Sequence, residues 1–76
     1  MKKYRILKSV ILSFLTPQDQ SDEIIEPKDG VILESDGRTI WAIKNRKRHE
    51  SITVAHAIEY WLDIGAIIEI SSEEGQ

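Results

Sequence analysis

No cysteine occurs anywhere in the 76 residues of this chain, and that absence limits its folds more than any motif does. Domains this short bury only about 60% of the surface their unfolded chains expose, and many add a disulfide or a structural metal as a staple. Without cysteine, disulfides and thiolate metal sites are both ruled out. The core must therefore be aliphatic, or a partner must complete it. A deep catalytic cavity would remove apolar contacts that so small a core cannot spare.

The aliphatic option is well supplied, because 13 of the residues are isoleucine. Isoleucine is stiff at χ1 and packs well on a pleated surface, so this bias favours strands. Hydrophobic residues make up 41% of the chain and its net charge is only -3, which argues against disorder. The densest apolar stretch, Val10 to Leu15 with Ile6 and Leu7 before it, falls far short of the ~20 residues that span a bilayer. Met1-Lys2-Lys3 has the basic character of a secretory leader. Lys8 and Ser9 interrupt its apolar part, however, and no small-residue cleavage site follows. The expectation is a cytoplasmic protein without a membrane segment.

Residues 4–15 admit two readings. Period two groups Tyr4, Ile6, Val10, Leu12 and Phe14 with Lys8 as a mismatch, whereas a helix would group Leu7, Val10, Ile11, Phe14 and Leu15. β-branched and aromatic content favours a strand bent near Ser9. Thr16-Pro17 ends it, since proline disfavours helical geometry in the residue before it. Residues 16–23 read as a polar loop, and Ile24-Ile25 as a short extended piece before the turn Glu26-Pro27-Lys28-Asp29-Gly30. Val31 to Glu34 and Thr39 to Ile43 are strand-like runs joined through Ser35-Asp36-Gly37-Arg38, where Asp-Gly supplies the strongest hairpin signal. Asn45 to Glu50 read as a basic extension or loop.

A helix is predicted next, capped by Ser51 or Thr53, with Val54, Ala57, Ile58, Trp61 and Leu62 as its apolar stripe and Gly65 as its left-handed stop. Ile67, Ile68 and Ile70 then form a final strand. The order β-β-β-α-β predicts a single α+β domain over residues 1–70, in two layers: one helix on an antiparallel sheet of three to four strands. Residues 71–76 read as a polar, acidic tail.

Net charge conceals a block pattern. Lys2, Lys3, Arg5 and Lys8 give the first eight residues a balance of +4, and residues 16–36 carry -6. Arg38, Lys44, Arg46, Lys47 and Arg48 then reverse the sign to +5, and the remainder returns to -6. Alternating blocks can pair within the fold; alternatively, the third is an exposed basic patch. Trp41 lies among these cations, and an exposed tryptophan beside lysines and arginines can stack on a base while they neutralise phosphates. Its alternation with Ile40 and Ala42 fits an interior or inter-layer ring better.

Chemistry beyond binding finds little support. His56, Glu59, Tyr60 and Asp63 would share one helix face, but no further ligand stands at a recognisable spacing. No serine sits in a Gly-x-Ser-x-Gly elbow, and the four glycines are too scattered for a phosphate loop. No cofactor, metal or small-molecule substrate is expected.

Ser51 to Ile70, with its Ser/Thr start, apolar spacing and Leu62-x-x-Gly65-x-Ile67 turn, resembles the recognition helix and first wing strand of winged-helix proteins. The resemblance covers about a quarter of the chain and implies DNA binding through that helix. Two features depart from it: Thr39 to Ile43 reads as a strand where a scaffold helix belongs, and residues 52–64 hold no Arg or Lys to meet phosphate or guanine. The leading expectation is a non-enzymatic binding or regulatory module acting through protein contact, with itself as a homodimer or with another chain. Nucleic-acid binding is the alternative. Both rest on the same candidate residues, Arg38, Trp41, Lys44, Arg46, Lys47 and Arg48.

Overall fold

In a computed structural model, residues 1–70 are described, and they are mostly sheet. The strands are β1 (Lys2–Ile6), β2 (Val10–Leu15), β3 (Gln20–Ile25), β4 (Ile32–Ser35), β5 (Ile40–Lys44), β6 (Lys47–Ser51) and β7 (Ile67–Ile70). A 3-10 turn spans Pro27–Asp29, and one seven-residue helix, α1, spans Ala57–Asp63. Five strands form an antiparallel sheet in the order β6-β5-β4-β1-β7, while β2 and β3 form a separate antiparallel hairpin.

Side-chain alternation explains why this sequence needs two sheets. Tyr4 and Ile6 on β1, Leu33 on β4, Ile40 and Ala42 on β5 and Ile67 on β7 all point inward and are buried. One apolar face requires a cover. The hairpin supplies much of it through Val10, Leu12 and Ile25, and α1 supplies the rest through Ile58 and Trp61. Leu12, Leu33 and Ile40 have no measurable exposure and mark the centre of the core. The opposite face of the hairpin presents Ile11 directly across from Ile24, both well exposed.

The hairpin is anchored at one strongly bonded point. The Ser13 carbonyl accepts from the Ile52 N–H at 2.9 Å and from the Ser51 hydroxyl at 2.8 Å, and the Ser13 N–H donates to Thr53 Oγ1 at 2.9 Å. The Ser51 and Thr53 side-chain oxygens lie 2.9 Å apart, and Ser51 Oγ accepts the Thr53 N–H at 3.0 Å. This clasp ties β2 to the end of β6. At the other side, the Leu7 and Lys8 N–H groups both donate to the Ala66 carbonyl, which fixes the β1 to β2 corner beside β7.

Several expectations are corrected. The fold is not one helix on a three- to four-stranded sheet in the order β-β-β-α-β, because three stretches carry strands beyond that scheme. Residues 4–15 split into β1 and β2 around Leu7 to Ser9, so the chain leaves one sheet and enters the other. The polar segment before Ile24 is strand β3, held by pairing with β2 and not by burial. The basic segment before Ser51 is strand β6, paired with β5 along its whole length. Ser51 and Thr53 do not cap the helix, since the clasp uses them, and α1 begins later at Ala57. Val54 is exposed outside the helix. A seven-residue helix packed under a sheet also departs from the winged-helix likeness. Gly65 does adopt φ +73 as expected, and the turn at Gly37 adopts φ +95. The acidic-tail expectation for residues 71–76 lies outside the described residues.

The inward and outward faces of β2 give a sharp contrast. Leu12→Ala should destabilise the protein by about 2–5 kcal/mol in urea denaturation, as large-to-small core changes do. Ile11→Ala, at an exposed neighbouring position, should cost less than about 0.5 kcal/mol.

Candidate functional site

The basic segment folds into the β5–β6 arm. Its two-residue turn, Asn45-Arg46, has φ +52 and φ +65, the left-handed pair of a type I′ hairpin whose twist suits the flanking strands. Asparagine tolerates this region; arginine does so at a cost. The turn sets Lys44 directly opposite Lys47, so like charges face each other at the arm's tip. Neither feature favours stability.

The turn also determines which backbone groups are used. In a two-residue hairpin the flanking residues form a hydrogen-bonded pair, and such pairs alternate along an antiparallel ladder. Lys47, His49 and Ser51 therefore bond inward to β5. The N–H and C=O of Arg48 and Glu50 point away from β5, along the outer edge of the sheet. Ile52 continues this parity, and its N–H is the one taken by Ser13.

On the sheet's outer face, register brings together residues far apart in sequence. One row runs Ile70, Lys3, Glu34, Trp41, Glu50; the next runs Ile68, Arg5, Ile32, Ile43, Arg48. Arg48 reaches diagonally across β5, placing its guanidinium 4.1 Å from the centre of the Trp41 ring and its Nε 2.9 Å from Glu34 Oε1. Its Nη2 also lies 3.3 Å from Met1 Sδ. The Glu34 side chain is only 13% exposed, so this ion pair is better shielded than an ordinary surface pair. Trp41 is thus neither in the core nor between layers. Trp61 occupies the core, and Trp41 lies partly covered on the outer face beneath Arg48.

Between the β6 edge and the hairpin lies a cleft of about 600 Å³. Phe14, Leu15 and Glu23 form one wall, Arg48, His49 and Glu50 the other, with Ala42 and Val31 deeper. The clasp at Ser13 closes it at one end. Leu15 is 75% exposed at its rim.

The structure does not bring all six candidate residues together. Lys44, Arg46, Lys47 and Arg48 cluster on the arm with Trp41 beside them, but Arg38 sits in the β4–β5 turn at the far end of β5, roughly 20 Å away at the usual rise per strand residue. There, the carboxylate of Asp36 accepts the N–H groups of Arg38 and Thr39 at 2.8 and 2.9 Å. These backbone hydrogen bonds hold the carboxyl below the usual aspartate range.

A second cavity, of about 610 Å³, lies near Tyr4, Asp36, His56 and Glu59. His56 Nδ1 is 3.2 Å from Glu59 Oε2, both well exposed. Burial, aided by the nearby Glu69 carboxylate, pushes the Tyr4 hydroxyl above its ordinary range. Among the described residues no group of three or more His, Cys, Asp or Glu is placed to hold a metal ion, and no helix is long and apolar enough to cross a membrane.

No protein-family model matches the chain, and neither a curated protein nor a solved structure matches it significantly. The site must be read from its own geometry. Sequence reasoning passed over Glu34, Glu50 and the hairpin wall, because only strand register places them beside the arm.

Two measurements test this description. Arg46→Gly should stabilise the protein by about 1 kcal/mol in thermal or urea unfolding, because glycine adopts the left-handed region without a Cβ penalty. The Asp36 carboxyl resonance should titrate below the usual aspartate range. Its folded-state pKa is depressed, so its stabilising contribution is present above the unfolded value and is lost as pH falls through the folded one; Asp36→Asn should remove that acid-sensitive component.

Proposed function

We propose that the protein is a non-enzymatic binding module that works by protein contact, taking an extended segment of a partner along the outer edge of β6. One observation carries this reading: the outward backbone groups of Arg48 and Glu50, which pair with no other backbone group among the described residues, form a wall of the cleft beside the hairpin. Strand addition to an exposed edge derives affinity from main-chain hydrogen bonds and specificity from pockets for alternate side chains. The cleft offers both, with Phe14 and Leu15 facing the edge. Charged side chains on the edge discourage indiscriminate pairing, a common protection for exposed strands.

The same geometry weakens the nucleic-acid alternative. Arg48 is engaged with Glu34 and covers one face of Trp41, and Glu50 lies directly beside the ring. With Arg38 remote, Lys44, Arg46 and Lys47 are the cations left at the tip. The scarcity of disulfide-free small domains among secreted proteins supports placing the module in the cytoplasm.

Glu50→Pro tests the edge directly, since it removes an N–H that points away from β5 and leaves the β5–β6 ladder intact. Peptides selected from a random display library should shift the amide resonances of Arg48, Glu50 and Leu15, and Glu50→Pro should weaken them at least tenfold. Binders that leave those amides unmoved would overturn the reading. Retention of a single-stranded probe, with a salt dependence matching about three phosphates, would favour the polyanion alternative.

A further inference from the structure

The β6 edge is complementary to itself. Its exposed backbone groups belong to Arg48 and Glu50, and the stretch available for pairing is bounded by the Asn45-Arg46 turn at one end and by Ile52, whose N–H is held by Ser13, at the other. In an antiparallel pairing of β6 with a second β6, the outward-pointing residues must meet one another to exchange hydrogen bonds. Three registers satisfy that condition near the centre of the edge. Arg48 opposite Arg48 sets like charges together, and Glu50 opposite Glu50 does the same. Only the register centred on His49 places each Arg48 opposite the second copy's Glu50, so both pairs are oppositely charged.

We infer that the occupant of this edge is a second copy of the chain, joined as a two-fold dimer through antiparallel β6 strands with Arg48 and Glu50 paired across the interface. The inference rests on the edge being the docking surface argued above. Both residues lie on the outer face, so a two-fold axis through His49 perpendicular to the sheet keeps their side chains on one side. Among the described residues the Glu50 carboxylate takes part in no ion pair. Arg48 uses Nε toward Glu34 and Nη2 toward Met1, which leaves guanidinium donors for a second carboxylate. The same axis puts both hairpins on the inner side, each with an exposed Leu15 at its cleft rim. The two five-stranded sheets then continue into one. The paired stretch is short, so the dimer is weak and concentration-dependent, below the size of a standard stable interface.

Sedimentation velocity from micromolar to millimolar concentration reads this out. The wild-type mass should rise toward that of two chains, and Glu50→Arg should raise the dissociation constant about tenfold by turning both attractive pairs repulsive. Combining Glu50→Arg with Arg48→Glu should restore dimerisation to within about threefold. The swapped arginine lies in the row of Trp41 and Glu34, so it can keep the contacts that hold the outer face. In a mixed labelled and unlabelled sample, an intermolecular contact between the two His49 α-protons would support this register. A mass that stays at one chain up to millimolar concentration, or a dimer indifferent to Glu50→Arg, overturns the proposal. If library peptides still shift Arg48 and Glu50 in the monomeric protein, only self-pairing falls. If they do not, the edge reading falls with it.

Discussion

The clasp of Ser51, Ile52 and Thr53 on the backbone of Ser13 determines most of what the rest of the molecule can do. It commits Ser51 and Thr53 to a long-range contact instead of a helix cap, and it pins β2 against β6 at one point only. From there the hairpin and the sheet diverge. Without the clasp, the hairpin would be held by the packing of Val10, Leu12 and Ile25 and by the corner bonds of Leu7 and Lys8 to Ala66, and no hydrogen bond would fix it to the end of β6. With it, the cleft has a closed end, an open mouth and a wall of backbone groups that pair with no other backbone group among the described residues.

The outer face follows a different logic. Its Arg48, Trp41 and Glu34 cluster stiffens the arm by covering an aromatic ring and a largely shielded carboxylate with one guanidinium. The cluster absorbs the cation best placed to serve a polyanion. What remains at the tip is Lys44 facing Lys47 around a left-handed Arg46, an arrangement that opposes local stability. The block of positive charge is therefore partly structural and partly exposed, a division that neither its sum nor its sequence position reveals.

The parts legible in the sequence were those whose signal is local. Asp36-Gly37 announced a hairpin, Gly65 a chain reversal, and Ile67 to Ile70 a strand, and each depends on residues within a few positions. β3 and β6 were missed because Gln20 to Glu23 and Lys47 to Glu50 bring no apolar alternation; pairing with β2 and β5 makes them strands. The usual Asn-Gly signature of a type I′ turn was also absent, since Arg46 occupies the second position. The helix start was misplaced because its apparent cap serves the clasp from the far side of the core. The candidate site was half visible: the cations were in view, while Glu34, Glu50 and the hairpin wall became neighbours only through register.

Strand addition depends on the outer edge of β6, where the backbone groups of Arg48 and Glu50 pair with no other backbone group among the described residues. Amide hydrogen exchange of the dilute, monomeric protein tests it residue by residue. An open edge gives alternation, with slow exchange at Lys47, His49, Ser51 and Ile52 and fast exchange at Arg48 and Glu50. Uniformly slow exchange from Lys47 to Ile52 would show that this edge is already covered, and would rule out strand addition there.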